Sequence, residues 1–203
     1  LYMTLVSTLF AYILGLPMGI ALVLTAKEGL RPNQIIYKLL DTVVNVVRSI
    51  PFLILLILVI PLTRAIVGQS YGATATIVPL TLAAAPFVAR MVESSLLEVD
   101  KGVIEAAQSM GAGLWTIVWK VMLGEARTSL IVGGTIALGT ILGYSAMAGA
   151  VGGGGLGDIA IRYGYHRYQT DIMLVTVVLL VLLVQILQYV GTKLSKKLDR
   201  RLK

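Results

Sequence analysis

Few side chains in this sequence can do covalent chemistry, and their placement argues against it. Ser145, in the run Gly143-Tyr144-Ser145, sits in an uncharged stretch, where a serine nucleophile needs a positioned base within hydrogen-bond reach. The single histidine, His166, stands beside Arg167 in a separate polar segment. One histidine and no cysteine leave a zinc site without its usual ligands and exclude disulfides. Gly152, Gly154 and Gly157 formally satisfy G-x-G-x-x-G, but no strand precedes them, so the βαβ unit that gives this spacing its meaning is missing. No Gly-Lys pair occurs, which removes a phosphate-binding P-loop. Asp100 and Glu105 belong to an amphipathic stretch and read as part of its wet face. No catalytic residue, metal or cofactor is expected on this chain.

Glu105 lies in Val103-Ile104-Glu105-Ala106-Ala107-Gln108-Ser109-Met110-Gly111, which continues as Ala112-Gly113-Leu114-Trp115 to Leu123. The run reads as two short helices parted by glycine. Asp100 can cap the first by accepting hydrogen bonds from free backbone N–H groups. Gly111 suits a left-handed residue that ends it, since it has no Cβ to clash. In the second helix Leu114, Ile117, Val118, Val121 and Met122 follow i, i+3, i+4, i+7, i+8 spacing and form one apolar stripe.

The surrounding composition is that of a membrane protein. Hydrophobic residues make up 57% of the chain and charged residues 13%, where a soluble domain carries about 25% charged; mean hydropathy is +0.89. A span needs about 20 apolar residues, and helices satisfy every backbone group within lipid. The expected fold is therefore all-α and polytopic, a single domain over 1–203. Its five spans are expected near 2–26, 42–63, 72–91, 128–150 and 172–192, with an amphipathic region at 93–127 between the third and fourth. Residues 64–71 read as a turn, the glycines from Gly152 to Gly157 as a tight, flexible turn, and 158–171 as a polar loop. Gly15 with Gly19, and Gly139 with Gly143, are small-x-x-x-small pairs that allow close helix approach. Pro17, Pro51, Pro79 and Pro86 favour kinks. The chain begins on Leu1, so a short preceding segment is expected, and no cleavable signal peptide is recognised.

Basic residues orient such a chain. With 93–127 on the cytoplasmic side, 14 of the 17 Lys and Arg residues face inward: Lys27, Arg31, Lys38, Arg48, Arg90, Lys101, Lys120, Arg127 and the tail from Lys193 to Lys203. Only Arg64, Arg162 and Arg167 face outward. The N-terminus is then outside and the C-terminus cytoplasmic. The net charge of +7 speaks for anionic membrane lipid rather than nucleic acid. Arg48 can snorkel to the interface. Asn45 either hydrogen-bonds between helices or lines a polar path.

The Glu-Ala-Ala-x-x-x-Gly run and the apolar helix after it resemble the "EAA" signature of bacterial ABC-importer permeases, with Leu123-Gly124 where that family usually has Leu-Pro. The resemblance implies that Glu105, Ala106, Ala107, Gly111, Leu114 and Trp115 belong to a coupling helix that docks on a separate ATPase. The same run also suits an amphipathic helix in the headgroup layer, anchored by Trp115 and Trp119. Arg48-Ser49-Ile50-Pro51, the Pro79–Glu93 run and Gly143-Tyr144-Ser145-Ala146-Met147 leading into Gly155-Leu156-Gly157 resemble the methionine-importer permeases of this superfamily. That resemblance implies a translocation path near Asn45, Ser49, Pro51, Tyr144, Ser145 and Met147, although Met147 also suits ordinary helix packing. It further implies a homodimer in the bacterial cytoplasmic (inner) membrane, with an ATPase subunit pair holding ATP and Mg and an extracytoplasmic substrate-binding protein. The same resemblance implies methionine as the amino-acid substrate, with another amino acid or a methionine derivative as the alternative. A non-transporting membrane anchor is the reading from a different class.

Overall fold

A computed structural model describes residues 1–198; Arg200, Arg201 and Lys203, assigned above to the tail, lie outside the described residues. In chain order the helices are α1 (Tyr2–Thr25), α2 (Gln34–Ser49), α3 (Phe52–Leu58), α4 (Ile60–Val67), α5 (Ala73–Leu97) and α6 (Lys101–Ser109). Then α7 joins Leu114–Thr116, a π-helical Ile117–Met122 and Leu123–Glu125. Next come α8 (Arg127–Ala148), α9 (Gly155–Ile159 continuing as π-helical Ala160–Tyr165) and α10 (Thr170–Leu198). Among the described residues there is no strand. Four helices are long and apolar enough to cross a membrane: α1, α5, α8 with the turn after it, and α10. The α2–α3 pair supplies a fifth if it forms one broken span, bent by 104°.

The α5 helix is the axis of the bundle, with 61% of its apolar window buried against 6% for α10. Alongside it, α1 runs in the same direction. Ser7 Oγ donates to the Ile77 carbonyl at 3.5 Å, Gly15 faces Ala85 and Val88, and Gly19 faces Ala89 and Val92. A Cβ on Gly19 would lie 2.6 Å from the Ala89 carbonyl oxygen and 2.7 Å from Val92 Cβ, so the seam closes only with glycine there. The α8 helix runs the opposite way, with Tyr12 against Gly134 and Thr4 bonded to Ser145. Antiparallel to α8, α10 places Gly191 on Thr135. One end of the bundle therefore gathers Met3, Gly72 and Gly153, and the other gathers Thr25, α6, α7 and Lys193.

The second expected span, 42–63, is not one helix. Asn33 Oδ1 accepts from Ile35 N and Ile36 N, both at 3.1 Å, and so starts α2 well before residue 42. Pro51 has no N–H to continue α2, and a residue before proline is driven to extended backbone; Ile50 obeys, at φ −82 and ψ 123. A second break follows at Val59, and α4 starts with Pro61 in its first turn, where a missing N–H costs nothing. Residues 64–67 are thus helical rather than part of a turn, and Gly68, at φ 81, closes α4.

Several further expectations need correction. The third span runs on to Leu97 because Glu93 is neutralised inside it by Arg90. Residues 158–165 of the expected loop 158–171 are helical, and around the glycine turn Gly149, Gly153 and Gly157 are closely packed. A Cβ on Gly149 would strike the Gly157–Asp158 backbone, and one on Gly153 would lie 2.7 Å from the Ala148 carbonyl oxygen. Gly139 and Gly143 do not make a close helix contact within this chain: the nearest atom to a Cβ on Gly139 is Gln188 Nε2 at 3.8 Å, and Gly143 has none within 4 Å. A test of the α1–α5 seam follows. Gly19→Leu should destabilise the purified protein by about 1–3 kcal/mol through overpacking, read as a lower unfolding temperature, whereas Gly124→Ala, which meets nothing within 4 Å, should not.

Candidate functional site

Two groups of residues stand out, at the two ends of the α5 segment that follows Arg90. The first is the surface built by α6 and α7. Asp100 caps α6, accepting from Gly102 N at 2.6 Å. Gly111 adopts φ 78 and its N–H donates to the Gln108 carbonyl at 2.9 Å, which reverses the chain into α7. Ala107, Ile117, Val118 and Met122 are buried, with Leu114 and Val121 packed against them. The expected apolar stripe therefore faces the core, although i→i+5 bonding replaces a plain α-helix over Ile117–Met122. Glu105 and Ala106 are exposed, as are Met110, Trp115 and Trp119, Met110 by 82% and Trp115 by 70%. An acid beside large apolar side chains, on a rigid two-helix platform, is chemically suited to entering a protein cleft.

This platform is tied to the end of α1 by Lys101 Nζ and Glu28 Oε2, 2.6 Å apart. The lysine's hydrogen bond and charge hold the Glu28 carboxyl below its ordinary value. In return, Glu28 raises the Lys101 ammonium above its own.

The second group centres on Arg90. Its guanidinium donates to Asp41, to Asn45 Oδ1 at 2.9 Å and to Glu93 Oε2 at 2.7 Å. Asn45 Nδ2 donates in turn to Asp41 Oδ2 at 3.2 Å, so this amide joins α2 to α5. The sequence reading named Asn45 but missed its partners. Their signal was present: Arg90 and Glu93 form an i, i+3 pair inside an apolar run, and Asp41 precedes Asn45 by one helical turn. Ser49 Oγ donates back to the Asn45 carbonyl at 2.8 Å, and Pro51 is exposed at the break.

The other path candidates lie on α8. Tyr144 stacks on Phe52, with ring centroids 4.7 Å apart and planes 4° from parallel. Ser145 is buried, accepting from Thr4 Oγ1 at 3.3 Å and donating to the Leu142 carbonyl at 2.7 Å. A hydroxyl so engaged braces α1 against α8. Met147 is 49% exposed and shares an open face of α8 with Gly143. The small cavity lined by Thr63, Thr76 and Pro79 holds about 10 Å³, room for about one water.

Residues 7–203 match the family of binding-protein-dependent transport system inner membrane components. The chain belongs to that family. It is 53% identical over 201 residues to a probable D-methionine transport system permease protein of Vibrio cholerae, covering 99% of this chain and 89% of that one. It is 44% identical over 180 residues to a methionine import system permease protein of Bacillus subtilis, covering 89% and 81%. Among solved structures, an inward-facing MetNI methionine ABC transporter superposes with a TM-score of 0.96 at 49% identity, covering 98% of this chain and 92% of that chain. An inner membrane permease of this family accounts for the long apolar helices.

The Glu28–Lys101 tie predicts a pH and salt dependence. Glu28 is depressed and Lys101 raised, so the contact is fully present through neutral pH. It is lost as pH falls through the lowered Glu28 value or rises through the raised Lys101 value. Because both side chains are exposed, molar salt should also weaken it, the screening length falling from about 10 Å to about 3 Å. Amide exchange in α6, corrected for intrinsic rates, should quicken in acid or molar salt. Glu28→Gln should reproduce that faster exchange at neutral pH and abolish its acid dependence.

Proposed function

We propose that this chain is the permease subunit of an ATP-driven importer that carries methionine inward across the cytoplasmic membrane by alternating access. The observation that carries the reading is the near-full-length superposition on an inward-facing methionine ABC transporter. Two copies would pair, with the substrate path between them. The open α8 face of Gly143 and Met147 supports that placement, Met147 being 49% exposed. Small residues let partner helices approach, and the Met147 thioether offers an adaptable, polarizable surface to an apolar side chain.

ATP and Mg would be held by a separate ATPase pair, and α6–α7 would seat in that pair's surface through Glu105, Ala106, Leu114 and Trp115. The basic residues gathered at that end, Lys27, Arg31, Lys101, Lys120 and Lys193 among them, support its cytoplasmic placement. The N-terminus is then outside and the C-terminus inside, and the opposite end of the bundle meets the extracytoplasmic binding protein. Nucleotide binding can drive the exchange between inward-open and outward-open states only by favouring one of them. A platform fixed to the ends of α1 and α5 gives that preference a mechanical route.

Uptake of labelled methionine, as both enantiomers, into proteoliposomes holding the co-expressed complex tests the reading, since relatives are named both for D-methionine and for methionine. Gly111→Pro should abolish uptake while the helices stay folded, because proline is fixed near φ −65, cannot adopt the φ of 78 found here and lacks the N–H that Gly111 donates. Glu105→Ala should lower substrate-stimulated ATP hydrolysis. A complex that takes up no methionine, or no co-purifying ATPase, would favour the anchor reading.

A further inference from the structure

The Arg90 cluster joins two parts of the molecule that the chain connects only indirectly. On one side, α5 continues from Arg90 to Leu97 and passes directly into the Asp100-capped α6. On the other side, α2 ends at Ser49, and the break at Ile50–Pro51 turns the chain by 104° into α3. The first residue of α3 is Phe52, whose ring lies flat on Tyr144. Little else fastens α2 to the bundle. Val44 is the one α2 residue fully buried, and it packs with Leu22 and Ala89, flanked by Met18, Tyr37 and Leu40.

We propose that Arg90 is a positioning residue for the translocation path: it locks α2 to the end of α5, so that α2, the Pro51 elbow and the Phe52–Tyr144 stack follow the motion of the coupling platform. The proposal rests on the reading of Tyr144 as a path residue. Its chemical basis is the guanidinium fork. Arg90 serves Glu93 on its own helix through Nη1 and Asp41 and Asn45 on α2 through Nη2. A planar group with several fixed donors can hold partners on two helices at once in one geometry, whereas an ammonium is a point charge.

Without the fork, Asp41 and Glu93 are two like charges facing each other. Glu93 is 8% exposed, so its charge is poorly screened by water. The α2 helix would then keep only its apolar contacts, Val44 with Tyr37 and Leu40, and the elbow at Pro51 would no longer report where α5 stands. The consequence is uncoupling: hydrolysis continues while the path fails to open in step.

The chain has no cysteine, so paired labels can be placed cleanly. Lys38→Cys on α2 and Glu98→Cys beyond α5, both exposed positions, are spin-labelled in the co-expressed complex and measured with and without trapped ATP. With Arg90 present, one narrow distance should persist in both states, because α2 and α5 move together. In Arg90→Gln the distribution should broaden, and methionine uptake per ATP hydrolysed should fall about ten-fold, within the roughly 5- to 150-fold range of allosteric couplings. Arg90→Lys should be intermediate. Asp41→Asn, which keeps an acceptor but removes the charge, decides the matter if Arg90→Gln does not accumulate.

Narrow distances and unchanged uptake in Asp41→Asn and in any Arg90 variant that accumulates would overturn the proposal. Tyr144→Ala is measured in parallel. If it leaves uptake untouched, the path reading falls. If it blocks uptake while Arg90→Gln and Asp41→Asn behave as the parent, the path reading stands and Arg90 has no positioning role.

Discussion

The closeness of α1 to α5 governs the rest of the arrangement. Helices in lipid gain little from hydrophobic association, because the surrounding tails are as apolar as leucine, so they rely on backbone approach and packing. Gly15 and Gly19 provide that approach, meeting the ridge of Ala85, Val88, Ala89 and Val92 with no side chain of their own. With α1 so near, Leu22 reaches Val44 and Ala89, and Glu28 arrives beside Lys101. The same contact brings Thr4 level with Ser145. Elements distant in sequence are placed by one seam.

Where the seam ends, polarity takes over. Around Arg90 the packing changes from small apolar residues to a guanidinium with two carboxylates and an amide, and the helix beyond it supports the exposed platform. The neighbouring α2 has an inward apolar face and a polar flank that meets Arg90. Proline then redirects the chain. The molecule thus combines a closely packed half, α1 with α5, and a half whose placement depends on a few specific polar contacts.

Much of this was legible in the sequence, for identifiable reasons. Apolar runs of span length report the bilayer directly, and the Asp100 cap and Gly111 reversal are local backbone chemistry, so both read correctly. The second span did not. Hydropathy averages across Pro51 and sees one run from 42 to 63, whereas the backbone sees two lost hydrogen-bond positions and a capped helix that began at Gln34. Gly139 and Gly143 had the right spacing but meet no close helix backbone among the described residues, because spacing says nothing about what lies opposite. The glycine run after Val151 serves two needs that composition does not separate: Gly153 and Gly157 lie against neighbouring backbone, whereas Gly152, Gly154 and Gly155 take left-handed φ. For Asn45, the local spacings of Asp41 with Asn45 and of Arg90 with Glu93 were visible, but that the two pairs meet across 45 residues was not, since such a juxtaposition is set by tertiary packing.

The parallel course of α1 and α5 also bears on how the molecule is made. Two parallel membrane helices cannot be neighbours in a simple hairpin; the chain must cross back between them, and here the returning segment is the broken stretch of α2, α3 and α4. At about 5–20 residues per second of synthesis, the glycine face of α1 waits on the order of several seconds before α5 exists. During that interval Gly15, Gly19 and the hydroxyls of Thr4 and Ser7 have no partner in their own chain. The helix α1 is therefore made before both segments it depends on, α5 for its glycine face and α8 for its Thr4 hydroxyl.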